Sequence, residues 1–215
     1  AAPTQHFQFI TDHLKRVLPA QQLESGWLDA KAERARKESH GFFGGGAPGD
    51  AVNGNAVLMV YVPNGRSLDD DHYTYKLDWL GRLKHHLDAD TSPDQDVIIG
   101  GDYNIAPDDR DVPDPAKLEG ATHVSQAERD RLTELEAWGL TDAFRHFHDG
   151  DRMYSWWDYR GGAFHKKQGM RIDLLMTTRS VADEARLVVV DRNERKGPKD
   201  DPPSDHAPVV LELAR

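Results

Sequence analysis

The chain has 215 residues, of which 38% are hydrophobic and 30% are charged, and this composition is typical of a soluble protein with one sizeable core. No apolar run approaches the roughly 18 residues of a membrane-spanning helix, so we expect no membrane partner. The absence of cysteine excludes disulfides, thiolate zinc sites and cysteine nucleophiles, and it favours a cytoplasmic location. The net charge of −10 argues against non-specific binding of nucleic acid by the whole surface.

The predicted elements fall into two parts along the chain. Hydrophobic spacing predicts a helix over residues 4–18, and residues 20–38 predict a second, more polar helix. The glycine-rich stretch 41–49 predicts a loop or linker. Strands and helices alternate after that stretch, without an internal repeat, which indicates an α/β or α+β fold.

The alternating part contains five short strands and two helices by pattern. One helix is predicted over residues 73–87, and a capping box at Ser125 and Glu128 opens another that ends near Gly139. The strands are short apolar or β-branched runs, some followed by turn residues. They are predicted at residues 56–62, 97–101, 172–176, 187–190 and 209–213.

A basic, aromatic-rich segment lies between residues 145 and 171. It holds six cations and three anions, a net charge of +3, and it includes four clustered Tyr and Trp residues. Such a segment in an acidic protein is a candidate contact for DNA. A core strand followed by a solvated loop would have the same composition.

Polar side chains with catalytic potential stand at or just after the predicted strands. Side chains at strand ends and in the following loops can converge on one edge of a sheet. Carboxylates, a carboxamide, an imidazole and a phenol gathered there would suit phosphodiester hydrolysis, which needs a base, a divalent cation and donors to the phosphate. Clustered carboxylates also favour a bound cation, so Mg²⁺ or Mn²⁺ is expected. The candidates are Tyr61, Asp102, Asn104, Asp173, Asp205 and His206.

Each candidate also has an ordinary structural explanation. Asp102 and Asn104 could cap a turn after a strand, Asp205 and His206 could cap a loop, and Tyr61 could be a packed tyrosine. The acidic run at residues 69–71 is interpreted as a solvated helix N-terminus, where negative charge is favourable, and residues 108–111 are interpreted as a loop.

Six strings in fixed order connect the sequence to a known family. YVPNG, GDYNIAP, WGLTDAFR, SWWDYR, MRIDLLM and SDHAPV occur consecutively between residues 55 and 215. They resemble the motifs of the exonuclease III-like AP endonucleases of the endonuclease/exonuclease/phosphatase superfamily. The resemblance implies an α+β, two-sheet sandwich flanked by helices. It also implies one domain over residues 1–215, with residues 55–215 as the family-like catalytic portion and residues 1–50 as an atypical segment.

The resemblance implies an activity and a role for each catalytic candidate. The expected enzyme is a monomer that acts on nucleoid DNA, cuts 5′ to abasic sites and removes nucleotides or blocking groups from the 3′ ends of duplex DNA. Asp102 resembles the base that activates water, and Asn104 resembles a ligand of a phosphate oxygen. His206 would donate to the phosphate while Asp173 orients its ring, and Tyr61 would face the phosphate or assist the leaving group.

The resemblance also implies residues that bind the cation and the substrate. Trp156 and Met170 match the positions that hold the extruded abasic sugar, and Arg145 and Arg160 are candidates for contacts with backbone phosphates. Trp157 could belong to this pocket or to the core. The metal ligands implied are Asp102, Asn104 and Asp205.

The first fifty residues depart from the family pattern. A TWNVN-type asparagine motif and a QET-type glutamate are expected there, and neither is found; residues 22–25 are the nearest approach. We therefore expect the N-terminal half of the sandwich to be incomplete. The alternatives left open are a catalytically impaired DNA-binding homologue and a phosphatase that acts on another phosphodiester, although SWWDYR argues against the latter.

Overall fold

The computed structural model of the chain describes residues 51–52, 55–198 and 203–214, so the helices and loop predicted within the first fifty residues lie outside the described part. The described residues form seven strands and five α-helices, with short 3₁₀ helices between them. The strands are β1 (Ala51–Val52), β2 (Asn55–Tyr61), β3 (Val97–Asp102), β4 (Leu140–Asp142), β5 (Asp173–Thr178), β6 (Ala185–Val190) and β7 (Val209–Leu213). The helices are α1 (Asp71–Asp90), α2 (Pro115–Leu118), α3 (Gln126–Trp138), α4 (Ala143–Phe147) and α5 (Arg179–Glu184).

The strands form one larger and one smaller sheet. The larger sheet has the order β1-β2-β3-β5-β4, and the smaller sheet pairs β6 with β7. Only the β2–β3 pair is parallel, and the connection between these two strands contains α1. Mixed sheets flanked by helices confirm the predicted α+β class.

The main core lies between the larger sheet and helices α1 and α3. The buried positions of α1 recur every three or four residues, which places them on one face of the helix. Burying one such side chain stabilises the fold by about 1.5–3 kcal/mol relative to leaving it exposed. The core cluster includes Val60, Val62, Trp79, Leu80, Leu83, Leu87, Ile99, Tyr103, Leu132, Leu135, Leu174 and Met176.

The smaller sheet packs on the other side of β5. Phe144 of α4 and Val188 of β6 are buried in a second cluster, and Leu175 of β5 packs against it. The two sheets are therefore joined through α4 and β5. No helix within the described part of the chain is both long and apolar enough to cross a membrane.

The ends of the two long helices follow the sequence signals closely. The Ser125 side chain accepts from the backbone of Glu128, and the Glu128 side chain reaches back to Ser125, as the capping box predicts. Gly139 follows α3 with φ 127°, a conformation that glycine adopts without a Cβ penalty. Asp70 caps α1 by accepting from the backbone N–H of His72, which agrees with the interpretation of the acidic run.

Candidate active site

Three predicted side chains stand side by side on the larger sheet. Tyr61 of β2 is level with Asp102 of β3, and Asp102 is level with Asp173 of β5. Residues that are level on neighbouring strands project from the same face of a sheet. The register therefore places a phenol and two carboxylates in one row at the edge where β2 and β3 end.

Asp173 and His206 form a buried pair at this edge. The Nδ1 atom of His206 lies 2.8 and 3.0 Å from the two carboxylate oxygens of Asp173. Burial by itself lowers the pKa of His206, but the carboxylates of Asp173, Asp102 and Asp205 outweigh burial and raise it to about 9. The imidazole is thus a cation at neutral pH, with Nδ1 held by Asp173.

Asp102 and Asn104 form a second pair beside the first. The backbone N–H and the side-chain Nδ2 of Asn104 donate to the two Asp102 oxygens, at 2.8 and 3.0 Å. Burial raises the pKa of Asp102 to about 7, and the charge of Asp173 adds to this effect while His206 opposes it. A carboxylate whose pKa lies close to neutrality can take up a proton during a reaction at that pH.

Tyr61 completes the row and is the most exposed member, with 43% of its surface accessible. Partial burial and the negative charge of Asp102 raise the pKa of its phenol. The hydroxyl is therefore protonated at neutral pH. This position at the open end of the row differs from that of a packed core tyrosine.

Ser155 links β5 to the segment that carries His206. It was not among the site residues predicted from the sequence. Its buried hydroxyl accepts from the backbone N–H groups of Ile172 and Asp173, at 3.1 and 3.0 Å. Its carbonyl accepts from the backbone N–H of Ala207 at 2.7 Å. One serine thus fixes the relative position of the Asp173 strand and the residue after His206. The serine at the start of SWWDYR was the available signal.

Trp156 and Met170 come together next to the Asp173–His206 pair. Their backbones exchange hydrogen bonds of 2.9 Å, and both side chains pack against the small cluster of Ala106, Val112 and Ile172. The Trp156 ring centroid lies 6.4 Å from that of His206. The neighbouring Trp157 is 1% exposed and belongs to the core.

The two arginines predicted to contact phosphates occupy different environments. Arg145 is largely buried, and its guanidinium donates to Asp111 and to the carbonyls of His148 and Gly150, so the structure gives it an internal role. Arg160 is on the surface, where it pairs with Asp158 at 2.7 Å.

The interpretation of residues 108–111 as a plain loop is corrected by the structure. Residues 109–111 form a 3₁₀ helix, and Asp111 is fully buried. Its carboxylate accepts hydrogen bonds from Arg171 at 2.7 and 3.0 Å and also from Arg145, and these bonds compensate the buried charge. Local sequence gave no sign of this, since Arg171 lies sixty positions away.

The predicted metal ligands are near one another but are engaged by other groups. The Asp205 carboxylate accepts from Trp156 Nε1 at 3.0 Å, and both Asp102 oxygens accept from Asn104. Within residues 51–52, 55–198 and 203–214, no three His, Cys, Asp or Glu side chains are arranged to hold a metal ion.

Comparison with known proteins places this site in a family. The sequence model of the Endonuclease/Exonuclease/phosphatase family matches residues 15–206. The chain belongs to this family. Within it, the relatives identify the exonuclease III-like AP endonuclease branch, as the motifs predicted. The match to the family model begins at residue 15, some forty residues before the part of the chain that holds those motifs.

The relatives are nucleases of several organisms. An exodeoxyribonuclease of Bacillus subtilis is 30% identical over 156 residues, which are 72% of this chain and 58% of the relative. The structure of an AP endonuclease from Archaeoglobus fulgidus is similar with a TM-score of 0.72 and 30% identity, covering 80% of this chain and 70% of that one. The 3′ phosphatase NExo from Neisseria, bound to a product DNA hairpin, has a TM-score of 0.71 and 36% identity, covering 76% and 62%. The chain spans little more than half the length of the curated Bacillus relative.

Proposed function

We propose that this protein is a DNA-repair phosphodiesterase of the exonuclease III type, which hydrolyses bonds 5′ to abasic sites and clears the 3′ ends of duplex DNA. The observation that carries the proposal is the Asp173–His206 pair beside Asp102, with His206 Nδ1 2.8 Å from the Asp173 carboxylate. This arrangement supports the proposal, because Asp102 would serve as a general base and His206 as a cationic donor at one edge of a sheet. The proposal also agrees with the names of the relatives.

In the proposed reaction, water attacks the phosphorus while Asp102 accepts one of its protons. The new P–O bond forms as the bond to the 3′ oxygen breaks, and the products are a 3′-hydroxyl and a 5′-phosphate. The imidazolium of His206 donates to a non-bridging oxygen, which stabilises the charge that develops there. The protonated Tyr61 hydroxyl supplies the proton for the departing oxygen.

The specificity for abasic sites would come from Trp156 and Met170. Their side chains pack on the apolar cluster that includes Ile172, which gives the row an apolar flank. A deoxyribose without a base leaves the helix at a lower energetic cost than an intact nucleotide and fits a small apolar surface. Exposed Arg160 is the remaining candidate for a backbone phosphate contact.

We propose Mg²⁺ or Mn²⁺ as the cofactor, with oxygen ligands from Asp102, Asn104 and Asp205. When bound, such a cation would neutralise phosphate charge. The metal is tested on its own by calorimetric titration of the protein with each cation. An Asp205→Asn variant should weaken binding, and unchanged binding would contradict the assignment of Asp205.

Cleavage is tested on two labelled duplexes, one with an internal tetrahydrofuran abasic analogue and one with a 3′-terminal phosphate. We expect incision of the first and release of inorganic phosphate from the second, both stopped by EDTA. An intact duplex with blocked ends is the matched control. Absence of cation-dependent turnover on both substrates would refute the proposal, and hydrolysis of a phosphoinositide headgroup alone would identify a phosphatase with a different substrate.

A second candidate is a homologue that binds DNA without cutting it. It is favoured by the finding that no three His, Cys, Asp or Glu side chains of the described residues are grouped to hold a metal ion. It predicts binding to abasic duplex that weakens as salt rises, because counterions are released from the phosphates. Binding without product at any cation concentration would support this candidate. In either case we propose a monomer that acts in the cytoplasm on nucleoid DNA.

A further inference from the structure

Asn104 adopts a strained conformation in which each of its polar atoms has a partner. Its φ of 51° lies in the left-handed region, which costs most residues about 1–2 kcal/mol and which asparagine tolerates better. The side-chain Nδ2 donates to Val62 O at 2.9 Å, and Oδ1 accepts from Asn64 at 3.1 Å. The backbone carbonyl points away from the reaction edge, towards helices α1 and α3.

A buried lysine holds that carbonyl. Lys76 stands in the stripe of α1 that otherwise consists of Trp79, Leu80, Leu83 and Leu87, and it is fully buried. Its Nζ donates to Asn104 O at 2.7 Å and more weakly to Asn64 O, in the preceding turn, at 3.4 Å.

Glu128, at the start of α3, holds the lysine. It is fully buried, and its Oε1 atom lies 2.5 Å from Lys76 Nζ. The same carboxylate accepts from Thr122, from the backbone of His123 and twice from Ser125, at 2.6–3.0 Å. These bonds fix the segment that precedes α3.

His123, which is in that segment, reaches the same carbonyl from the other side. Its Nδ1 atom lies 2.6 Å from Asn104 O, and its own carbonyl accepts from the backbone N–H of Ala106 at 2.7 Å. A carbonyl oxygen can only accept, so Nδ1 of His123 is the donor in this contact. The turn at residues 104–106 is thus held at both ends.

Stability alone does not explain this arrangement. A buried ion pair contributes little net stability compared with apolar side chains of similar volume, because both charges lose their hydration. An apolar residue at position 76 would complete the stripe of α1 but would leave the Asn104 carbonyl with His123 alone as its side-chain donor. The pair is therefore better explained by the geometry that it imposes on the site.

We propose that Lys76 and His123, supported by Glu128, are positioning residues that clamp the carbonyl of Asn104 and so hold its carboxamide against the carboxylate of Asp102. The clamp acts through Asn104 and does not touch the substrate. Its role in cleavage rests on the proposed function, whereas its effect on Asn104 does not.

The kinetic test uses Lys76→Met and His123→Ala in the full chain. We expect each to lower kcat by about 10–100-fold on the abasic duplex while KM changes by less than about 3-fold, since Asn104 acts in the transition state. His123→Ala leaves the buried ion pair intact, so the clamp remains testable if Lys76→Met does not fold. Leu83→Ala, which perturbs the same helix without reaching Asn104, is the matched control. At temperatures below its Tm it should have the same kcat as the wild type.

A double-mutant cycle separates the clamp from general loss of structure. In an Asn104→Ala background, His123→Ala should have almost no further effect on kcat, because the carboxamide that it positions is gone. Equal effects of His123→Ala in both backgrounds, or a normal kcat in the single variants, would overturn the proposal.

A spectroscopic test needs no cleavage. The side-chain amide of Asn104, assigned by NMR, should give shifted resonances and lose protection from exchange in Lys76→Met and His123→Ala, but not in Leu83→Ala. A wild type without turnover would remove the proposed function and leave this test in place. An unchanged Asn104 amide in both clamp variants would contradict the clamp itself.

Discussion

At the scale of single residues, the site depends on Asp102 and His206, whose surroundings favour the protonated form of each side chain. Burial raises the pKa of Asp102 to about 7, so this carboxylate is close to its protonated form at neutral pH. Asp173 helps to raise the pKa of His206 to about 9, so this imidazole remains protonated. A base and an acid with separated pKa values are what phosphodiester hydrolysis requires near neutrality.

These shifts predict a bell-shaped dependence of kcat/KM on pH. Activity should fall below about pH 7 as Asp102 becomes protonated, and above about pH 9 as His206 loses its proton. In Asp173→Asn the alkaline limb should move to lower pH, because the charge that raises the pKa of His206 is removed. The profile is measured on the 3′-phosphate duplex, and an alkaline limb that does not move would contradict the role of Asp173.

Removal of either group should abolish cleavage without unfolding the protein. We expect Asp102→Ala and His206→Ala each to reduce kcat by about 100-fold or more, since each loses one proton-transfer or donor function. Circular dichroism should remain unchanged. Asp88→Ala, on the exposed end of α1, is the control and should cleave normally; near-normal rates in either site variant would show that the assignment is wrong.

At the scale of elements, the close pairing of β2 and β3 sets the row of functional side chains. Gly101 has φ 146°, and a Cβ atom at this position would lie 1.9 Å from the carbonyl oxygen of Val60. Only glycine lets the two strands approach this closely next to Asp102. The glycine that opens GDYNIAP is therefore part of the architecture of the site.

Gly101→Ala is expected to destabilise the protein by about 2–6 kcal/mol, the combined cost of strain and overpacking. Gly120→Ala is the matched control, because Gly120 also has a positive φ, of 76°, but nothing lies within 4 Å of its added Cβ. The control should lose only about 1 kcal/mol. Urea unfolding measures both variants, and equal losses would show that contact with Val60 O is unimportant.

Most elements could be predicted from the sequence because their patterns are local. The helical spacing over residues 73–87 and the capping box at Ser125 correspond to α1 and α3, and residues 209–213 form β7 as predicted. The three-residue strand β4 was missed because such a short run has no measurable periodicity. The prediction of one domain over residues 1–215 stays a prediction.

The row of Tyr61, Asp102 and Asp173 could be located from motifs, whereas the buried charges around it could not. Lys76 stands within a hydrophobic stripe, but its partner Glu128 lies 52 positions away, and only the fold brings them together. Arg145 carries the charge expected of a DNA contact, yet its guanidinium forms an ion pair with the buried carboxylate of Asp111. A charge looks the same in sequence whether it faces solvent or a distant partner.

At the scale of the whole molecule, one buried cluster of charges joins segments that are distant in sequence. Asp111 accepts from Arg171 and Arg145, and Arg171 also pairs with Asp142 at 2.7 Å. The cluster connects the 3₁₀ helix at 109–111 to β4, α4 and the start of β5. Through Arg171, the cluster therefore holds the start of β5, the strand that carries Asp173.

Asp111→Asn should destabilise the protein by about 3–5 kcal/mol, because two buried guanidinium groups lose their shared carboxylate. Asp109→Asn, on the same 3₁₀ helix but exposed and paired only with Arg129 at the surface, should change stability by less than about 1 kcal/mol. Chemical unfolding monitored by tryptophan fluorescence compares the two. A similar small change in both would mean that the cluster is dispensable.

Tyr61, Asp102 and Asp173 are aligned across three neighbouring strands. The relative positions of the three side chains therefore do not depend on the length of the segments that connect the strands. Residues can be inserted into or deleted from the connecting segments without moving the three side chains relative to each other. A single insertion inside any of these strands would instead turn its functional side chain to the opposite face of the sheet. Changes of chain length are therefore tolerated in the connections of this sheet but not within these three strands.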